Sequence, residues 1–264
     1  MPEESAFLSS SRVLMSFEKR APPDLCYYRA TMESVQRVYN DVRALLCEKD
    51  LGHYVEPVEH VFEVECLRRK YRPDGDVKLL LIAESHVRVS PDCFASKGSG
   101  FIYQHHYYTP WWHDFILPAF GKRQPTNPEK RLRWLECLKF SGFWLLDVSL
   151  LSLSGYHKVD RSWPRRPLDG LREEIIKVSW GCHVKDIFDQ IMDQGCPPVV
   201  CAFESISFVL PWATKDQATI VKFKGRGNAP VFHSLDYPYG TQRFCDAARK
   251  ARIEACFLES HSRN

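Results

Sequence analysis

The stretch Leu79-Leu80-Leu81-Ile82-Ala83-Glu84-Ser85-His86 decides the fold. It ends an almost continuous apolar run, Val77 to Ile82, that follows the turn signal Pro73-Asp74-Gly75-Asp76 and gives way abruptly to polar residues. A half-exposed strand alternates apolar with polar residues. A run without that alternation is covered on both faces, as strands of a parallel sheet are.

Working outward, three further runs repeat the pattern: Phe143 to Val148, Val199 to Phe203 and, more weakly, Pro230 to His233. The intervening stretches carry three- and four-residue apolar spacing. Val35, Val38, Tyr39, Val42, Leu45 and Leu46 form one face of a helix over Thr31 to Lys49. Leu132, Leu135 and Leu138 form another, as do Ile175, Ile176, Ile187, Phe188 and Ile191. A last helix over Thr241 to Leu258 is expected to bury Phe244, Ala248, Ala251, Ala255 and Leu258. Strands alternating with helices predict an α/β fold, three layers α/β/α around a central, mostly parallel sheet of about four strands. Residues 1–28, polar and without periodicity, read as a loosely ordered arm, and 29–264 as one α/β domain.

Composition fits this reading. At 264 residues and 44% hydrophobic, the chain can bury a large core in one domain. The start Met-Pro-Glu-Glu has no basic n-region, and no stretch approaches the roughly 18 apolar residues of a membrane span. The expectation is an intracellular protein, cytoplasmic or nuclear, with no membrane partner, and a monomer. Ten cysteines scattered through apolar runs, such as Cys66, Cys137, Cys201 and Cys256, read as buried free thiols. No Cys-x-x-Cys pair exists, so a cysteine zinc site or iron–sulfur cluster is not expected, and neither metal nor cofactor is assigned. A net charge of +3 falls short of a generally basic protein, so any polyanion site must be local.

Ligands of open α/β sheets bind beyond the carboxyl ends of the strands, where the chain leaves the sheet in loops and helix N-termini offer free N–H groups. That rule selects Glu84, Ser85 and His86 after the first strand, Asp147 and Ser149 after the second, Glu204 and Ser205 after the third, and His233, Ser234 and Asp236 after the fourth. One polar strand end is ordinary capping chemistry. Four together select Glu84, Asp147 and His233 as the centre of a site. The segment Gly98 to His113 adds Phe101 and Tyr103, either of which can stack a planar ring, while Trp111 and Trp112 read as core. His105, His106 and His113 in the same segment are a weaker metal-binding option. Basic clusters in loops, with Arg161, Arg165 and Arg166 in one and Lys224 and Arg226 in the other, are candidate phosphate contacts.

In order and spacing these pieces resemble the uracil-DNA glycosylase superfamily, over roughly residues 75–258. Leu79 to His86 is similar to that superfamily's first motif, although Ala83 stands where Gly is usual and no Pro follows Glu84. Gly100-Phe101 resembles the stretch supplying the stacking ring, and Gly142 to Val148 the strand ending in a base-reading Asn, here Asp147. Val199 to Phe203 resembles the penultimate strand. Val231 to Phe244 resembles the last motif, with His233 kept and Ser234 in place of Pro.

The resemblance implies hydrolysis of the N-glycosidic bond of a damaged or modified base flipped out of DNA, single-stranded DNA being one option, with no cofactor. In it Glu84 orients water or stabilises the oxocarbenium-like sugar, and His233 donates to the departing base. Asp147 and His86 line the base pocket. Leu235, Tyr237 and Tyr239 wedge into the stack, and Ser149, Arg243 and Lys224 hold the backbone. An ionised Asp147 only accepts hydrogen bonds, so plain uracil is expected to be a poor substrate. Two alternatives are a nucleoside or nucleotide N-glycosidase or transferase using Glu84 as nucleophile, and a catalytically silent nucleic-acid-binding module of the same fold.

Overall fold

The computed structural model describes residues 25–88, 103, 119, 127–155, 167–196, 198–206, 208–210, 231–235 and 240–253. Their centre is a four-stranded, wholly parallel sheet made of β1 (Leu79–Ala83), β3 (Phe143–Asp147), β5 (Val199–Phe203) and β6 (Val231–Leu235). Every residue of β1 and β3 is buried, which explains why their sequences lack alternation. A short parallel pair, β2 (Val87–Arg88) with β4 (Ser154–Gly155), lies outside that sheet.

The strand order is β3-β1-β5-β6. The chain passes from β1 to β3 on one side, returns past β1 to β5 on the other, and continues outward to β6. Strand succession therefore reverses between β1 and β5, and such a reversal opens a crevice at the carboxyl ends. Register fixes the rows: Ala83 stands beside Asp147, Leu81 beside Cys201, and Cys201 beside His233.

Six α-helices are described: α1 (Leu25–Glu48), α2 (Val58–Lys70), α3 (Pro128–Ser141), α4 (Arg172–Ser179), α5 (Lys185–Met192) and α6 (Gly240–Lys250). α1 buries Val35, Val38, Tyr39, Val42 and Leu46 of the expected stripe, with Leu45 partly buried, and adds Met32. It begins at Leu25, inside the segment that reads as a loose arm. The helix α3 starts with Asn127 accepting from the Lys130 amide at 2.9 Å and Pro128 in the first turn. It ends at Gly142 with φ 92°, a conformation that glycine adopts without steric cost. The Gly142 carbonyl then accepts from the Lys78 and Leu79 amides at 2.8 and 3.1 Å, tying the end of α3 to the start of β1.

Between α4 and α5 the chain takes a π-helical turn, Trp180–Val184. The last helix, α6, buries Phe244 and Ala248 as its spacing predicts, and it ends at Lys250. Ala255 and Leu258, expected on the same stripe, lie outside the described residues.

The helix α2 has no counterpart in the sequence reading, because half of its buried residues are polar. It buries His60, Glu65 and Arg68 alongside Val61, Phe62 and Val64, so the apolar spacing that marks an amphipathic helix is broken. The cysteines are less uniformly buried than expected: Cys201 is buried, Cys66 and Cys137 are partly buried, and Cys47, Cys182 and Cys196 are exposed. Among the described residues no helix is long and apolar enough to cross a membrane.

Candidate functional site

At the β1/β5 reversal stands Glu84, the first residue beyond β1. Its carboxylate accepts two hydrogen bonds from Arg172, Nε to Oε1 at 2.8 Å and Nη2 to Oε2 at 2.9 Å. Arg172, the first residue of α4, also donates to the carbonyl of Ser205 just past β5, so one guanidinium joins the ends of both strands. The Ser205 hydroxyl lies 3.5 Å from Oε2 of Glu84. The Arg172 guanidinium sits 5.7 Å from the centre of the Phe208 ring, and Lys177 stands at the same distance. The hydrogen bond to Glu84 raises the pKa of Arg172, and partial burial opposes it. Both side chains reach solvent, Glu84 at 28% and Arg172 at 21% exposure.

The loop after β3 is laced to the loop after β1. Val148 N donates to Ala83 O and Ser149 N to Glu84 O, both at 2.9 Å. Leu153 N donates to the Ser85 hydroxyl at 3.2 Å. These bonds fix the backbone carrying Glu84 while leaving its side chain at the surface.

Asp147 does not join Glu84. It is the last residue of β3 and only 1% exposed, and its Oδ2 accepts from Arg68 Nη2 at 3.0 Å. Arg68 is itself buried and pairs with Glu65. Glu65 in turn accepts from Arg69 Nε at 2.8 Å and lies 3.3 Å from His183 Nε2. His183 lies on the π turn with its Nδ1 2.6 Å from the Ser34 hydroxyl. Burial would raise the Glu65 pKa, but Arg68, His183 and Arg69 together hold it well below the usual carboxylate range. For Asp147 burial prevails over the attraction of Arg68, and its pKa is raised. Asp147, expected to read a base, thus stands in a different setting: its carboxylate is buried and paired with Arg68, 79 residues away in sequence.

Three other expected site residues are also placed elsewhere. Tyr103, expected as a stacking platform, is 1% exposed. Its ring already stacks on Tyr71 at 5.1 Å, and its hydroxyl accepts from Leu145 N at 2.7 Å. Ser149 is buried and donates to Leu151 O at 2.8 Å, so it presents no surface for a phosphate. His86 is buried 2.9 Å from Glu56 rather than lining a base pocket.

The sequence reading ends the last strand at His233, but β6 continues to Leu235. The backbone of His233 is level with Cys201 and Leu81, two residues short of the carboxyl end. Phe101, Arg161, Arg165, Arg166, Lys224, Arg226, Tyr237 and Tyr239 lie outside the described residues, as do His105, His106 and His113. Leu235 and Arg243 are placed by backbone alone, the first ending β6 and the second in the first turn of α6.

Comparisons of the chain with protein-family models, with curated proteins and with solved structures found no match.

Arg172, Glu56, His60, Glu65 and Arg68 are not among the residues that the sequence selects. Arg172 carries no local signal, since its partner is 88 residues away. Glu56 and His60 do carry one, a carboxylate and an imidazole four residues apart around Pro57 at a helix start.

Proposed function

We propose that this chain hydrolyses the N-glycosidic bond of a base displaced from DNA, on a three-layer plan like that of the uracil-DNA glycosylase superfamily, with Glu84 as its catalytic carboxylate. The observation that carries this reading is the position of Glu84. It stands solvent-accessible at the strand-order reversal, held by two hydrogen bonds from Arg172.

An ionised carboxylate offers about four lone-pair positions, of which two are used by Arg172 and a third faces the Ser205 hydroxyl. The rest can accept from a water and face a positively charged sugar, the two tasks that bond cleavage demands. The Arg172 clamp restricts the carboxylate to one orientation, so no reorganisation is needed as charge develops. In this proposal His233 still donates to the departing base, from a backbone position lower in the sheet than the sequence suggests. Asp147 takes no part in reading the base.

The buried Arg68–Asp147 pair also favours a second reading, a silent nucleic-acid-binding module, because it removes one of the polar groups that a base pocket would use. The test is incubation with oligonucleotides carrying uracil, hypoxanthine, xanthine, mismatched thymine or modified cytosine, followed by cleavage at abasic sites. The glycosylase reading expects product that Glu84→Gln abolishes. It also expects Arg172→Lys, which loses the planar two-bond clamp, to lower kcat by about 10- to 100-fold. Salt-sensitive DNA binding with no product from any base, unchanged in Glu84→Gln, would establish the silent module instead.

A further inference from the structure

Behind the loop that carries Glu84 lies a second constellation: Glu56 before α2, His60 in its first turn and His86 after β1. All three are buried, at 2%, 3% and 2% exposure, and one donor atom from each lies within 4.8 Å of the others. Nδ1 of His60 and Nε2 of His86 approach the same oxygen, Glu56 Oε2, at 2.5 and 2.9 Å. The two imidazole planes are nearly perpendicular, at 88° with centroids 5.3 Å apart.

The surrounding bonds orient this set. The other oxygen of Glu56 accepts from Ser152 N, and its backbone carbonyl accepts from the Tyr39 hydroxyl at 3.1 Å. The His86 carbonyl accepts from the hydroxyls of Ser152 and Ser85, each at 3.0 Å. The bond from Ser152 N acts on the ligating carboxylate itself, as the outer hydrogen bonds of metal sites do.

Charge distinguishes this cluster from the Glu65 network. Glu65 is compensated by Arg68 and Arg69, whereas the groups that offset the burial of Glu56 are His86 and His60. A buried carboxylate oxygen flanked by two buried imidazole nitrogens suits a divalent cation, which would compensate its charge and be ligated by all three groups.

We propose that Glu56, His60 and His86 form a binding site for a zinc-like divalent transition metal. Two nitrogens and one carboxylate oxygen are a recognised zinc donor set, and the absence of Cys-x-x-Cys spacing has no bearing on it. Bonds of about 2.0–2.1 Å place tetrahedral donors roughly 3.3 Å apart, so the contacts of His60 and His86 to Glu56, at 2.5 and 2.9 Å, open by about 0.8 and 0.4 Å on binding. The ion fastens the exit of β1 to the start of α2. It thereby braces the loop holding Glu84 without touching the reacting groups, and the proposal does not depend on the glycosylase reading.

The test uses the full chain, stripped with chelator, dialysed and titrated with Zn²⁺ by calorimetry and with Co²⁺ by visible absorption. Expected are about one equivalent of Zn²⁺ per chain, a visible Co²⁺ band, a thermal midpoint raised by Zn²⁺, and binding that weakens as pH falls through the histidine range. Glu56→Gln and His86→Gln should abolish uptake, while His53→Gln, at an exposed histidine, should leave it intact. Should Glu56→Gln fail to fold, Glu56→Asp provides the reading, with Zn²⁺ affinity expected to fall by about tenfold or more. No saturable uptake by the unaltered chain, or equal uptake by folded Glu56 and His86 variants, overturns the proposal.

Discussion

Arg68→Met isolates what the buried ion network contributes. The substitution replaces a fully buried guanidinium with an apolar chain and leaves two carboxylates to find other partners. Glu65 retains Arg69 at 2.8 Å and His183 at 3.3 Å, but Asp147 loses its ion pair at 3.0 Å. Removing one member of a buried pair costs about 3–5 kcal/mol, most of it the burden of the charge left behind.

The loss should depend on pH, and its sign follows from Asp147. Burial raises its folded-state pKa above the ordinary 3.8, so between the two values the folded chain holds more protons than the unfolded one. Stability then falls as pH rises through that window. Removing Arg68 pushes the upper edge higher. Urea unfolding followed by tryptophan fluorescence, with buried Trp144 as reporter, should show a larger loss at about pH 7.5 than at about pH 5. Adding Asp147→Asn to Arg68→Met should recover much of the loss, because the stranded charge is gone. A cost below about 1 kcal/mol, equal at both pH values and unaffected by the second substitution, would refute the reasoning.

Gly142→Ala places a Cβ 2.8 Å from Lys78 Cγ at φ 92°. It should cost about 1–3 kcal/mol with an unchanged urea m-value, and no loss would contradict the left-handed end of α3. Glu65 has a folded-state pKa below the ordinary 4.5, because Arg68, His183 and Arg69 outweigh its burial. Its stabilisation is complete above the unfolded value and is lost as pH falls below it toward the folded value. The opposite effect of Asp147 is already at its limit below the ordinary 3.8, so unfolding free energy should decline from about pH 4 downward. A flat acid titration down to about pH 3 would count against the Glu65 network.

The sequence by itself determined the α/β class and the parallel strands, because both depend on local apolar pattern. The unbroken runs in β1 and β3 could only be covered on both faces, and the stripe from Val35 to Leu46 could only be one side of a helix. It also brought out Glu84, since an apolar strand leading into a carboxylate is visible locally.

Tertiary structure decided the rest. Whether a polar residue at a strand end meets solvent or a buried countercharge depends on groups distant in sequence. Glu84 found Arg172 at the surface, whereas Asp147 found Arg68 in the core. The helix α2 is hidden in the sequence for the same reason, because its inward face carries charges that only their partners make tolerable there. The extent of β6, and with it the level of His233, is visible only in its pairing with β5, which runs as far as Phe203 beside Leu235.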